Sequence, residues 1–197
     1  EGFVTLTCEN RGQGRIDRLS THAIAANAVS IGRSYQGVIL DDHMAEVSLL
    51  QSIKSVSDEN IGVAGVSLGG EQALYLGAVD ERVTATLSFG WVSSHKILVY
   101  PNIDIDWMVP NLISYFDQAS IGALIAPRAA VFSNGAEEYK KGPGWFNSEM
   151  ATETTNEVKK AYTLFDDSYV EYIEHPGSHT FDNKLAAKFF TEELKVE

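Results

Sequence analysis

The stretch "IGVAGVSLGGEQAL", residues 61–74, decides how the chain is read. An apolar run ends in a serine set among glycines, and a helical pattern follows at once. Gly65-Val66-Ser67-Leu68-Gly69 fits G-x-S-x-G in the strand-then-helix context that presents a serine hydroxyl at a sharp turn. Side chains in place of the glycines are expected to clash where the backbone turns. The helix that follows directs free N–H groups toward the place where negative charge develops in acyl transfer. Taken alone, the pentapeptide reads equally well as a glycine-rich turn with an incidental serine.

Outward from this point, β-rich runs alternate with helix-period segments, the pattern of strands joined by crossover helices in a mainly parallel sheet. Strands are expected at 2–8 ("GFVTLTC"), 60–66, 82–91, 128–134 and 169–175. Helices are expected around "DDHMAEVSLLQSIKSV", where Met44, Val47, Leu50 and Ile53 recur at three-residue steps, and at "GGEQALYLGAV", "MATETTNEVKKAYTLF" and "NKLAAKFFTEEL". Between Trp91 and Pro127 lies an aromatic insertion, about 92–126, in which prolines break any long helix. The whole is expected to form one domain over 1–197, of class α/β with helices on both sheet faces.

A nucleophilic serine requires a base and an acid to orient it, from strand ends later in the chain. His179 stands in "HPGSHTF", between the last strand and the last helix. His175, at the strand's end before Pro176, is its rival and has the more structural setting. The acid is expected after "RAAVFSN", where "GAEEYKK" offers Glu137 and Glu138. Only one of two adjacent loop residues can face the imidazole. The chain order serine, acid, histidine is that of one hydrolase architecture.

Composition narrows the function. With a net charge of −12 and a pI near 4.8, the chain lacks the basic surface that nucleic acid or an anionic membrane requires. A small neutral or cationic substrate fits better. No apolar run approaches a membrane span and no leader pattern opens the chain. One cysteine, Cys8, excludes an internal disulfide. The expectation is a soluble protein whose compartment the sequence leaves open, with the cytoplasm favoured.

On these motifs the sequence resembles the α/β-hydrolases of the dienelactone-hydrolase and acetyl-xylan-esterase-like group. The resemblance covers nearly the whole chain. It rests on "EGFVTLTCENRGQG", "SIGRSYQGVILDDHMAEVSLLQS", "IGVAGVSLGGEQALYLGAVDERVTA", "VPNLISYFD" with "ALIAPRAAVFSNGAEE", and "PGSHTF". It implies the α/β-hydrolase fold and an ester hydrolase without metal or organic cofactor. It also implies a Ser67, Glu138, His179 triad, with Glu138 at a position where such proteins usually carry Asp. Ser67 in place of cysteine favours a serine esterase over dienelactone hydrolysis. The resemblance further implies strands ahead of "GFVTLTC", one of whose loops supplies a second oxyanion donor beside Leu68 N–H. The chain is therefore read as N-terminally shortened, with an uncovered sheet edge that invites a second copy or a separate piece. A non-catalytic binding module and a serine peptidase on the same fold remain alternatives.

Other candidates carry blander readings. Cys8 is expected in the core, Asp41, Asp42 and His43 at a solvated helix start, and Arg11 of "RGQGR" as a brace for its loop. His22 and His95 read as surface or packing residues. Trp91 at a strand's carboxyl end is a candidate for substrate contact, and Trp107 a weaker one.

Overall fold

The structure is a computed structural model that describes residues 2–15, 18–94, 104–138 and 147–194. Among the described residues four strands, β1 (Ile61–Val66), β2 (Val83–Phe89), β3 (Ala129–Gly135) and β4 (Val170–His175), pair in the order of the chain, and every pairing is parallel. Parallel neighbours require crossovers, and helices supply them: α3 (Leu68–Val79) links β1 to β2, and α6 (Ser148–Tyr162) lies between β3 and β4. Two helices precede the sheet, α1 (Thr21–Ser30) and α2 (Tyr35–Ser52), and α7 (Asn183–Glu193) follows it. The described part of the insertion holds a 3-10 turn (Ile105–Trp107) and two short helices, α4 (Leu112–Tyr115) and α5 (Gln118–Ala123).

The period of two along β3 explains the layers. Ala130 and Phe132 face a core built with Leu74 of α3, Ile121 of α5 and Val158 and Tyr162 of α6. Ala129 and Val131 face the opposite side, where Leu87 and Phe89 of β2 meet Phe189 of α7. Strands apolar on both faces need cover on both, and the helices provide it. Where α3 crosses β2 the residues are small. A Cβ on Gly70 would strike the Phe89 carbonyl and one on Gly77 the Thr86 side chain. Ser88 Oγ also donates to Gly70 O at 2.8 Å, which fastens the strand to the helix at this close approach.

The sequence placed β1 to β4, α3, α6 and α7 to within a few residues, but not the earlier segments. Residues 2–8 form no strand, contrary to expectation. A strand exists only with a neighbour to pair with, and residues 2–9 make no backbone–backbone hydrogen bond. They lie along one wall of a groove of about 700 Å³ whose other wall is the outer edge of β1 and whose floor includes Phe190 and Leu194. Cys8 is correspondingly exposed rather than packed in the core. Helix α2 begins at Tyr35, six residues before Asp41, after the cap Ser34, whose hydroxyl accepts from Gly37 N. Asp41 and Asp42 are thus helix-interior residues, paired with Arg33 and Arg11. Arg11 does brace its loop against the fold. Helix α1, capped by Ser20, was not anticipated; it is rich in alanine and carries little amphipathic signal.

Candidate active site

Ser67 sits between β1 and α3 with φ 61° and ψ −123°. A non-glycine residue held at positive φ is strained, and the surroundings fix it there. Its N–H donates to the Phe89 carbonyl at 3.0 Å, and its own carbonyl accepts from Glu71 N at 3.0 Å. The two elbow glycines differ. A Cβ on Gly65 would run into the backbone of Gly69, whereas one on Gly69 would meet nothing within 4 Å. Only the first matches the expectation that both relieve a clash; the crowded second position is Gly70. Leu68 is the first residue of α3, so its N–H belongs to the first turn and has no acceptor within the helix.

The acid and histidine loops are joined through their backbones. Ala136 N donates to His175 O at 2.9 Å and Glu137 N to Gly177 O at 2.8 Å. Gly135, which ends β3, has room for no side chain because the Gly177 and Ser178 carbonyls lie against it. This zipper brings Glu138 to His179, with His179 Nδ1 hydrogen-bonded to Glu138 Oε1. The second carboxylate oxygen accepts from Gly135 N at 2.8 Å. The Glu138 side chain is 4% exposed, and that of His179 is 39% exposed. Glu137 points to solvent. Of the two adjacent glutamates, the structure therefore pairs Glu138 with the histidine.

Gly90 connects this pair to the elbow. It follows Phe89, the acceptor of Ser67 N–H, and an added Cβ there would stand 2.7 Å from His179 Nδ1 and Cε1. Two residues past His179, Phe181 packs on Phe89 at a centroid distance of 4.7 Å, which holds the histidine loop over the end of β2. Ser67 Oγ makes no hydrogen bond to His179 in this state. Such contacts often tighten only when substrate is bound.

The rival His175 is 2% exposed, bonded through Nδ1 to Ser133 Oγ at 2.7 Å and set edge-on to Phe89. It is a core residue. Trp91, expected at the substrate site, is 1% exposed and packs in the α3–α6 core, edge-on to Trp107 at 5.7 Å. That corrects the expectation: residues just past a strand end can turn inward, and periodicity cannot say which do. His43 is half-buried between Glu46 and Gln72, and His22 is an exposed partner of Asp104. His95 lies outside the described residues.

Sequence reasoning missed a buried polar group behind the elbow. Glu71, one turn into α3, is wholly buried and accepts from Gln36 Nε2 at 2.8 Å. The same nitrogen donates to Asp106 O at 2.9 Å and so fastens the insertion's 3-10 turn to α2 and α3. Burial first, and the nearby Asp106 charge, raise the Glu71 pKa well above the ordinary carboxylate range. The signal was a glutamate near the start of a largely apolar helix that carries no Lys or Arg.

No protein-family model matches the chain. Over 131 residues, 64% of the chain, it is 27% identical to "Putative hydrolase YtaP" of Bacillus subtilis (strain 168) and spans 44% of that protein's length. Among solved structures, a carbohydrate esterase family 15 glucuronoyl esterase from Caldicellulosiruptor kristjansonii superposes with a TM-score of 0.68 at 18% identity, over 82% of this chain and 51% of that one. A "putative acetyl xylan esterase" from Bacteroides fragilis NCTC 9343 gives 0.64 at 19% identity, over 85% and 45%. The glucuronoyl esterase from Solibacter usitatus gives 0.63 at 18%, over 98% and 52%. The chain thus spans about half the length of the proteins it resembles. No helix among the described residues is long and apolar enough to cross a membrane. The parallel sheet, the strained serine at its elbow and these likenesses together give the chain an α/β-hydrolase fold.

Proposed function

We propose that the chain carries the catalytic centre of a serine esterase acting on carboxylic esters. The observation that supports it most directly is the Glu138–His179 pair, lying against the strand end whose carbonyl holds the Ser67 N–H. In this reading Ser67 Oγ attacks the ester carbonyl carbon while His179 takes its proton. Nδ1 faces Glu138, and in this reading the proton is taken at Nε2. Charge on the carbonyl oxygen develops toward the first turn of α3, where Leu68 N–H is the donor assigned by position. The intermediate collapses, the C–O bond to the alcohol breaks, and His179 returns its proton to the departing oxygen. Water, deprotonated by His179, then cleaves the acyl-enzyme to acid and free Ser67. Glu138 fixes the imidazole's orientation and stabilises its cationic form.

The strongly acidic chain suits a neutral ester better than an anionic one. The named esterases in its structural neighbourhood motivate sugar-linked esters as first candidates. A fluorophosphonate probe with peptide mapping, beside turnover of p-nitrophenyl acetate, acetylated xylan and a methyl glucuronate ester, tests the reading. Labelling at Ser67 that vanishes in Ser67→Ala and falls strongly in His179→Ala is expected. Unchanged labelling of Ser67→Ala would remove the nucleophile. A chain that takes neither probe nor ester would be a binding module, and cleavage of peptides but not esters a peptidase.

A further inference from the structure

We propose that Gly90 is a positioning residue of this site: the lack of a side chain there is what allows His179 to stand against Glu138 at the end of β2. The inference rests on the triad reading above and adds a residue to it that no motif marks.

Gly90 occupies the position after β2 with φ +59°. Built as alanine, its Cβ would stand 2.7 Å from both Cε1 and Nδ1 of His179 and 3.0 Å from Glu138 Oε1. It would therefore press on both partners of one hydrogen bond. Other positive-φ glycines differ: Gly32 and Gly177 would meet nothing within 4 Å, and Gly12 only backbone.

The backbone at Gly90 cannot yield easily. Its N–H donates to Ser133 O at 2.7 Å, and the preceding carbonyl accepts the Ser67 N–H at 3.0 Å. Movement there would shift the nucleophile or detach β2 from β3. His179, by contrast, has an exposed side chain on a loop that contains Gly177 at φ +101°. A methyl group at position 90 would thus displace the imidazole away from Glu138 while the elbow stays in place.

A double-substitution cycle tests this. Gly90→Ala is expected to lower kcat for p-nitrophenyl acetate by about 100-fold or more with KM within a few fold, since a displaced base impairs transfer rather than binding. In a His179→Ala background the same change should cost less than about two-fold, because the group it displaces is gone. The urea midpoint provides an arm independent of activity. The loss caused by Gly90→Ala should be smaller in the His179→Ala chain, where the imidazole no longer opposes the methyl group. An equal fold-loss of activity in both backgrounds, or an equal loss of midpoint, would overturn the proposal. Failure of both the single and the double variant to fold would place the demand on the backbone and overturn it too. Full turnover in His179→Ala alone would defeat the triad reading instead, and the urea arm would still decide the steric claim.

Discussion

The N–H of Gly135 donates to Glu138 Oε2 at 2.8 Å, so the last residue of β3 holds the carboxylate that meets His179. The glutamate's position is thereby set by the sheet, and its longer arm folds back onto the strand end it follows. Removing the charge while keeping the shape isolates that role. Glu138→Gln should lower turnover of a p-nitrophenyl ester by on the order of 10²- to 10⁴-fold. Glu137→Gln should leave it within about two-fold, since Glu137 faces solvent. Steady-state kinetics of the two variants side by side decide it, and the reverse ranking would transfer the role to Glu137.

The elbow glycines should respond differently to alanine. Gly65→Ala drives a methyl group into the Gly69 backbone and is expected to cost roughly 3 kcal/mol or more, with loss of Ser67 labelling. Gly69→Ala finds open space in the first turn of α3 and should raise stability by up to about 1 kcal/mol. Urea denaturation of both variants gives the comparison, and equal destabilisation would contradict the geometry.

Glu71 gives stability a pH dependence of definite sign. Because burial raises its pKa in the folded chain, that chain keeps the proton over a range where the unfolded chain has lost it. Its contribution is present in full below about pH 4.5, the unfolded value, and declines as pH rises through the raised folded value. Inside that window one proton is worth roughly 1 kcal/mol per pH unit. Glu71→Gln can still accept from Gln36 and should flatten this decline relative to the parent. Urea midpoints of both proteins at pH 5 and pH 8 measure it, and parallel pH profiles would show that Glu71 does not carry the effect.

The groove between residues 2–7 and β1 bears on association. Both walls present backbone groups without partners among the described residues, and such edges recruit strands. The chain is expected to self-associate as its concentration rises, and Thr5→Lys or Thr7→Lys, exposed in the groove wall, should weaken this. Light scattering across a concentration series is the measurement, and a monomer throughout would show the edge to be closed in another way.

The sheet and the order of its helices were legible because each strand is a short apolar run bounded by glycine or a charged turn. The elbow was legible for the same reason, since its glycines and serine are adjacent in sequence. Glu138 and His179 could be named as candidates from chain order, but that these two pair, rather than Glu137 or His175, depends on which way each loop turns. That is decided by the backbone bonds from Ala136 to His175 and from Glu137 to Gly177. Residues 2–8 show the opposite limit. Their β-rich composition is real, but a strand is a property of two segments, and propensity describes only one. Gly90 and Glu71 were invisible because their importance lies in what stands next to them across the fold.

The glycine seam of α3 on β2 also divides the site by mechanical stiffness. Ser67, itself half-buried, is tied to the buried end of β2 by its N–H and runs directly into the buried part of α3, so its local opening requires the core to open. Glu138 and His179 stand on two loops that hold one another and touch that core through Phe181 and Gly90. Heat should therefore release His179 before it disturbs Ser67. Activity would fade in a transition that precedes the loss of helical signal, and it would return on cooling as long as the elbow had not unfolded.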